Sequence, residues 1–89
     1  MGTVVALIRV LPDSPQVDRE KLKTEIRAAI PGHVKLQSIA EKPIAFGLVS
    51  LAVTITLPDG SPGGADAVQD ILAKLPNVQS AETTDVGLL

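Results

Sequence analysis

Phe46-Gly47-Leu48-Val49-Ser50-Leu51-Ala52-Val53-Thr54-Ile55-Thr56-Leu57 is the stretch that decides the fold. Val49, Leu51, Val53, Ile55 and Leu57 alternate with Leu48, Ser50, Ala52, Thr54 and Thr56. A period of two is the signature of a strand, with one face toward a core and a more polar face outward. Residues 3–11 form a second run rich in β-branched side chains, with Arg9 its only charge, and read as a largely buried strand. Residues 33–40 read as a less apolar strand, with Val34, Leu36 and Ser38 on one face. Residues 78–86 form a last strand rich in hydroxyls and acids.

Two helices separate these strands. Asp18 has the chemistry of an N-cap, since its carboxylate can accept from the free N–H groups of a first turn. Leu22, Ile26, Ala29 and Ile30 follow on one helical face, and Pro31-Gly32 ends the run. The segment from Pro58 to Gly64 is a loop by composition. A second helix is expected over residues 65–75, with Ala65, Val68, Ile71, Leu72 and Leu75 as its stripe. The order is strand, helix, strand, strand, helix, strand. It predicts an α+β, ferredoxin-like β-α-β-β-α-β sandwich, with a four-stranded antiparallel sheet and both helices on one face. The first and third strands, the most apolar, belong in the middle. The other sheet face carries no helix and must meet solvent or a partner.

Composition narrows the function. The 89 residues make one domain, 1–89, that buries about 60–65% of its unfolded surface. There is no cysteine, so disulfides and thiolate chemistry are excluded. Eight basic and ten acidic residues are mixed along the chain for a net charge of −2, with no basic block for nucleic acid. No run approaches the roughly 20 apolar residues of a membrane span. No signal-peptide pattern stands at the start. Cytoplasmic location is the expectation.

The single histidine, His33, has no second histidine to complete a ligand set and reads as a solvated residue. Asp66 and Asp70 lie near a helix start, where acids oppose the dipole. The loop Gly60-Ser61-Pro62-Gly63-Gly64 lacks a Walker lysine and its spacing. An acylphosphatase-like hydrolase would need an arginine in a glycine-bearing loop after the first strand, whereas Arg9 is inside that strand. Phe46, the only aromatic residue, is by itself too little for RNA-base stacking. Phenylalanine is also among the most often buried residue types. From the residues alone, a small-ligand-binding or oligomerisation module of ferredoxin-like fold remains open.

A resemblance adds a function. Met1-Gly2-Thr3-Val4-Val5-Ala6 leads into Leu11-Pro12-Asp13-Ser14-Pro15. The middle carries Glu41-Lys42-Pro43-Ile44-Ala45-Phe46-Gly47-Leu48, and the end carries Asn77-Val78-Gln79-Ser80 and Thr84-Asp85-Val86. Together these resemble the guanine nucleotide exchange domain family of archaeal translation elongation factor 1-beta, over the whole chain. The resemblance implies a ferredoxin-like fold and replacement of GDP by GTP on the GTPase elongation factor 1-alpha during protein synthesis. It implies no covalent chemistry, no direct nucleic-acid or membrane partner and no cofactor of the chain's own, since nucleotide and magnesium belong to the GTPase. It places the partner contact on Pro43, Ile44, Ala45, Phe46 and Gly47, where eukaryotic relatives carry an aromatic between two glycines. Ala45 replaces the first of these glycines. The second implied contact is the C-terminus, Leu88 and Leu89. There the eukaryotic domains carry a penultimate lysine directed at the partner's magnesium site. Leu88 stands in that place, and no lysine follows Lys74.

Overall fold

The structure, a computed structural model, describes residues 2–14, 18–44, 47–60 and 64–88. Its elements are β1 (Thr3–Pro12), α1 (Arg19–Ala29), β2 (Lys35–Pro43), β3 (Val49–Pro58), α2 (Gly64–Ala73) and β4 (Val78–Leu88). The sheet is antiparallel in the order β2-β3-β1-β4. The ferredoxin-like arrangement, with the first and third strands central, is as the sequence pattern predicts.

One core holds the two layers together. Ala6, Ile8 and Val10 of β1 and Leu51, Val53, Ile55 and Leu57 of β3 turn the same way. They meet Leu22 and Ile26 of α1 and Ala65, Val68 and Leu72 of α2. Each such aliphatic side chain taken fully out of water contributes about 1.5–3 kcal/mol. Asp18 caps α1 by accepting from the N–H groups of Glu20 and Lys21. Ile30 closes the helix in an extended conformation, as the residue before a proline prefers. α2 ends at Ala73, short of Leu75, because its last N–H groups bond three residues back, Lys74 to Ile71 and Leu75 to Leu72. Asn77 then takes a left-handed φ of 67°.

Three expectations need correction. The outward face of β3 is not simply polar and wet: Ser50, Ala52 and Thr56 are buried. A central strand with small outward side chains is roofed by its neighbours. Gln37 donates from Nε2 to Thr56 Oγ1 at 2.9 Å, and Ser50 Oγ bonds the Lys42 carbonyl at 3.2 Å. In β2 the pairing slips between Leu36 and Ser38. This bulge puts Ile39, not Ser38, beside Leu36 in the core. β2 also begins later and runs further than residues 33–40, and β3 starts at Val49 rather than Phe46. Gly47, at φ 76°, cannot sit in an extended strand, and the Ile44 N–H closes the hairpin onto the Leu48 carbonyl at 2.8 Å.

Candidate partner-binding surface

Among the described residues, three large apolar side chains stand well exposed: Ile44 at 43%, Val86 at 54% and Leu88 at 70%. Exposed aliphatics cost little one by one, but here Ile44 and Leu88 fall in the two segments singled out in the sequence. Ile44 lies in the connection between β2 and β3. Val86 and Leu88 end β4.

The β2–β3 connection is built from local geometry. Pro43 is the last residue of β2 and pairs with Val49. The Ile44–Leu48 backbone bond then closes a short loop, and the left-handed Gly47 turns it. A Cβ at Gly47 would meet nothing within 4 Å, so the glycine serves backbone shape rather than close packing. Pro43, Ile44 and Gly47 are all exposed. Ala45 and Phe46 lie outside the described residues, as does Leu89.

The other segment is exposed for a different reason. Val86 pairs with Ala6 and Leu88 with Val4, which puts both on the helix-bearing side of the sheet. α2 reaches β4 where Gln69 Oε1 accepts from the N–H and Oγ1 of Thr83, both at 2.7 Å. Gln69 lies about 7.5 Å along the helix from its start at Gly64. A bulge at Thr84 takes up one residue, so Leu88 lies four paired positions, about 13 Å, along the strand beyond Thr83. β4 therefore outruns α2 by about 6 Å: Val86 stands level with the first turn of the helix, and Leu88 passes beyond it. Val86 was not singled out in the sequence. Its spacing of two from Leu88, on a strand, was the available signal.

These two segments do not converge. Leu88 pairs at the level of Val4 in β1, whereas Val49, the partner of Pro43, stands beyond the Val10–Leu51 pair. The offset is roughly eight strand positions, about 26 Å. The segments mark opposite ends of a molecule whose longest extent is 42 Å.

Beside the β2–β3 end lies a charged cluster that the sequence did not disclose. Glu41 faces the helical layer and bonds Arg19 Nε through Oε1 and Lys23 Nζ through Oε2, the latter at 3.3 Å. Lys23 also reaches Glu20 Oε1 at 3.3 Å. The Arg19 hydrogen bond, followed by that from Lys23, holds the Glu41 carboxyl below its usual range. The Glu20 hydrogen bond leads in raising Lys23, with Glu41 adding to it against partial desolvation. On the helix-free face, Arg9 and Glu82 pair across β1 and β4 at 3.2 Å.

Comparison with known proteins identifies the family. A profile described as the EF-1 guanine nucleotide exchange domain matches residues 5–89. Elongation factor 1-beta of Methanobrevibacter smithii is 46% identical over 89 residues, covering all of this chain and 99% of the relative. The protein of that name from Methanothermobacter thermautotrophicus is 48% identical with the same coverage. That from Methanoculleus marisnigri is 42% identical over the full length of both. Among solved structures, the C-terminal domain of the MgtC protein from Mycobacterium tuberculosis superposes with a TM-score of 0.65. It covers 99% of this chain and 89% of that one. At 17% identity this is a likeness of fold only. The match of residues 5–89 to the exchange-domain profile and the full-length matches to several archaeal relatives show that the chain belongs to the EF-1 guanine nucleotide exchange domain family.

Proposed function

We infer that the chain is a guanine nucleotide exchange factor that engages elongation factor 1-alpha with both ends of its sheet. Family membership supplies the exchange function. The observation that carries the two-ended reading is the placement of the exposed apolar side chains: Ile44 at one end, Val86 and Leu88 at the other. The partner surface comprises Pro43, Ile44, Ala45, Phe46 and Gly47, with Leu88 and Leu89 at the far end.

The work is thermodynamic rather than covalent. A factor that binds the nucleotide-free GTPase more tightly than the GDP-bound form must, by linkage, weaken GDP by the same factor. Two contacts about 26 Å apart suit this task. A rigid sheet touching two places on a GTPase favours the one relative arrangement of those places that fits both, and a nucleotide pocket built for another arrangement is loosened. GDP, GTP and magnesium belong to the partner, and the chain contributes no cofactor. No helix among the described residues is long and apolar enough to cross a membrane. A cytoplasmic setting is part of the proposal, since that is where translation would supply the partner.

The tail acts without a cation. Leu88 occupies the place of a lysine in eukaryotic members, so displacement of GDP relies on steric pressure and on the partner's switch segments. The test loads cognate elongation factor 1-alpha with fluorescent GDP and follows its release into excess unlabelled nucleotide. Acceleration at substoichiometric chain is the expected result. No acceleration, with no co-migration on a sizing column, would overturn it.

A further inference from the structure

We propose that Glu41 is a positioning residue for the exit of β2 at Pro43 and Ile44, holding it in place through the clasp with Arg19 and Lys23 of α1. The proposal rests on the reading that this end of the sheet touches the GTPase.

β2 needs such a device. It lies at the edge of the sheet and pairs with β3 alone. Its apolar attachment to the helical layer is confined to Leu36 and Ile39. The four residues that follow, Ala40, Glu41, Lys42 and Pro43, are exposed, so no buried aliphatic contact holds the strand exit. Glu41 opposes Leu51, a core residue, and so projects toward α1. Arg19 and Lys23 are one helical turn apart and meet that single carboxylate from the same side. Lys23 is held firmly for a lysine: its side chain is only 15% exposed, with its ammonium between Glu20 and Glu41.

The cluster borders an open cleft of about 250 Å³ lined by Asp18, Arg19, Glu20 and Glu41. Pairing with β3 and the Ser50 Oγ bond to the Lys42 carbonyl hold the strand exit within the sheet, and without a tight apolar seat the ionic contacts are what tie it to the helical layer. Two residues after Glu41 comes Pro43, and then the Ile44–Leu48 bond that closes the loop. A strand exit free to swing would present Pro43 and Ile44 to the partner only part of the time. The apparent affinity falls by the fraction of molecules out of shape, while the complex, once formed, is the same.

This predicts a split that a merely stabilising ion pair would not give. In Glu41→Gln, hydrogen exchange at the Ile44 amide should speed up about tenfold, with the Ile8 amide in the sheet centre unchanged. The concentration of chain giving half-maximal GDP release should rise about threefold to tenfold, with the maximal rate retained. Glu41→Asp, which keeps the charge on a shorter arm, should fall between. A lower maximal rate at unchanged half-saturation would overturn the proposal. So would unchanged Ile44 exchange, which would remove the clasp whatever the release curve does. Faster Ile44 exchange with an unaltered release curve would instead remove the assignment of the loop as a contact, and the proposal with it.

Discussion

The two ends of the sheet expose apolar side chains by opposite means. At the β2–β3 end the chain makes a closed loop, shaped by a left-handed glycine, locked by the Ile44–Leu48 bond and clasped to α1 through Glu41. At the β4 end there is no loop. A strand runs on past its covering helix, pairs on one side with β1, and leaves Val86 and Leu88 in solvent. At the first end the described residues are tied by backbone bonds, Pro43 paired with Val49 and Ile44 bonded to Leu48. The second offers a strand edge, with Val86 and Leu88 held by their pairing with Ala6 and Val4. Aromatic side chains are over-represented among the residues that carry most of an interface's binding energy. The β2–β3 end, which carries the one aromatic residue of the sequence, should therefore dominate affinity, and the tail should modulate it.

The sharpest way to break that comparison is to truncate each end. Phe46→Ala should slow GDP release by about 30-fold or more at a fixed low concentration of chain. That is the scale of about 2 kcal/mol that an aromatic anchor loses on truncation. A rate within twofold of the parent chain would remove the β2–β3 end from the contact. At the other end, Leu88→Asp should weaken the half-maximal concentration about tenfold, by placing a charge where an apolar contact forms. Leu88→Ala should cost about threefold, in keeping with a modest loss of buried area. Leu88→Lys sharpens the matter further. If the tail works by apolar contact, the lysine weakens exchange. A faster maximal rate would mean that the partner's magnesium site lies within reach and that the tail end is electrostatic after all.

A smaller effect separates the ends by backbone alone. Gly47→Ala introduces a side chain at φ 76° with open space around it, so conformational strain is the only cost. That strain is about 1 kcal/mol, or a fall of roughly 4–8 °C in Tm for a domain of this size. Gly87→Ala, in β4 and likewise in open space, should leave Tm within about 2 °C, because a strand accepts alanine. Equal shifts in thermal melts of the two variants would mean that Gly47 is not holding a special conformation.

The sequence disclosed the layers better than the ends. The alternation from Val49 to Leu57 sorted the core side of β3 correctly, and Asp18 was readable as a cap because capping is a local interaction. β2 was misread where its pattern stopped being local. The bulge near Gln37 breaks the period of two, so Ser38 and Ile39 exchange sides. Glu41 looked like an ordinary surface acid, since its partners Arg19 and Lys23 lie 22 and 18 residues away and only the packing of α1 on the sheet brings them together. The separation of the two candidate contacts was equally hidden. It follows from strand register, which puts Leu88 beside Val4 and Pro43 beside Val49. Residues 43–47 and 88–89 could be named from the resemblance, but not their placement at opposite ends.

The smallest effect tests the clasp by titration. Glu41 is held below the ordinary glutamate value of 4.5, first by Arg19 and then by Lys23. A carboxylate with a depressed folded-state value stabilises the protein above its unfolded value. That contribution is lost as pH falls through the depressed one. Lys23 is raised above 10.5, first by Glu20 and also by Glu41, so its contribution is complete below 10.5 and is lost as pH climbs through the raised value. The clasp is therefore whole across the neutral range and fails on each side for a different reason. Both partners touch solvent, so the change in global stability should be slight and salt-sensitive. The local readout is the better one. Ile44 amide protection, corrected for intrinsic exchange, should stay level from pH 5 to 8 and fall as Glu41 takes up its proton below the ordinary value. Leu88 amide protection should show no step there, because Glu41, Arg19 and Lys23 are at the far end of the sheet. A common acid step at both amides would report general loosening of the fold and would dissolve the distinction between a clasped end and an open one.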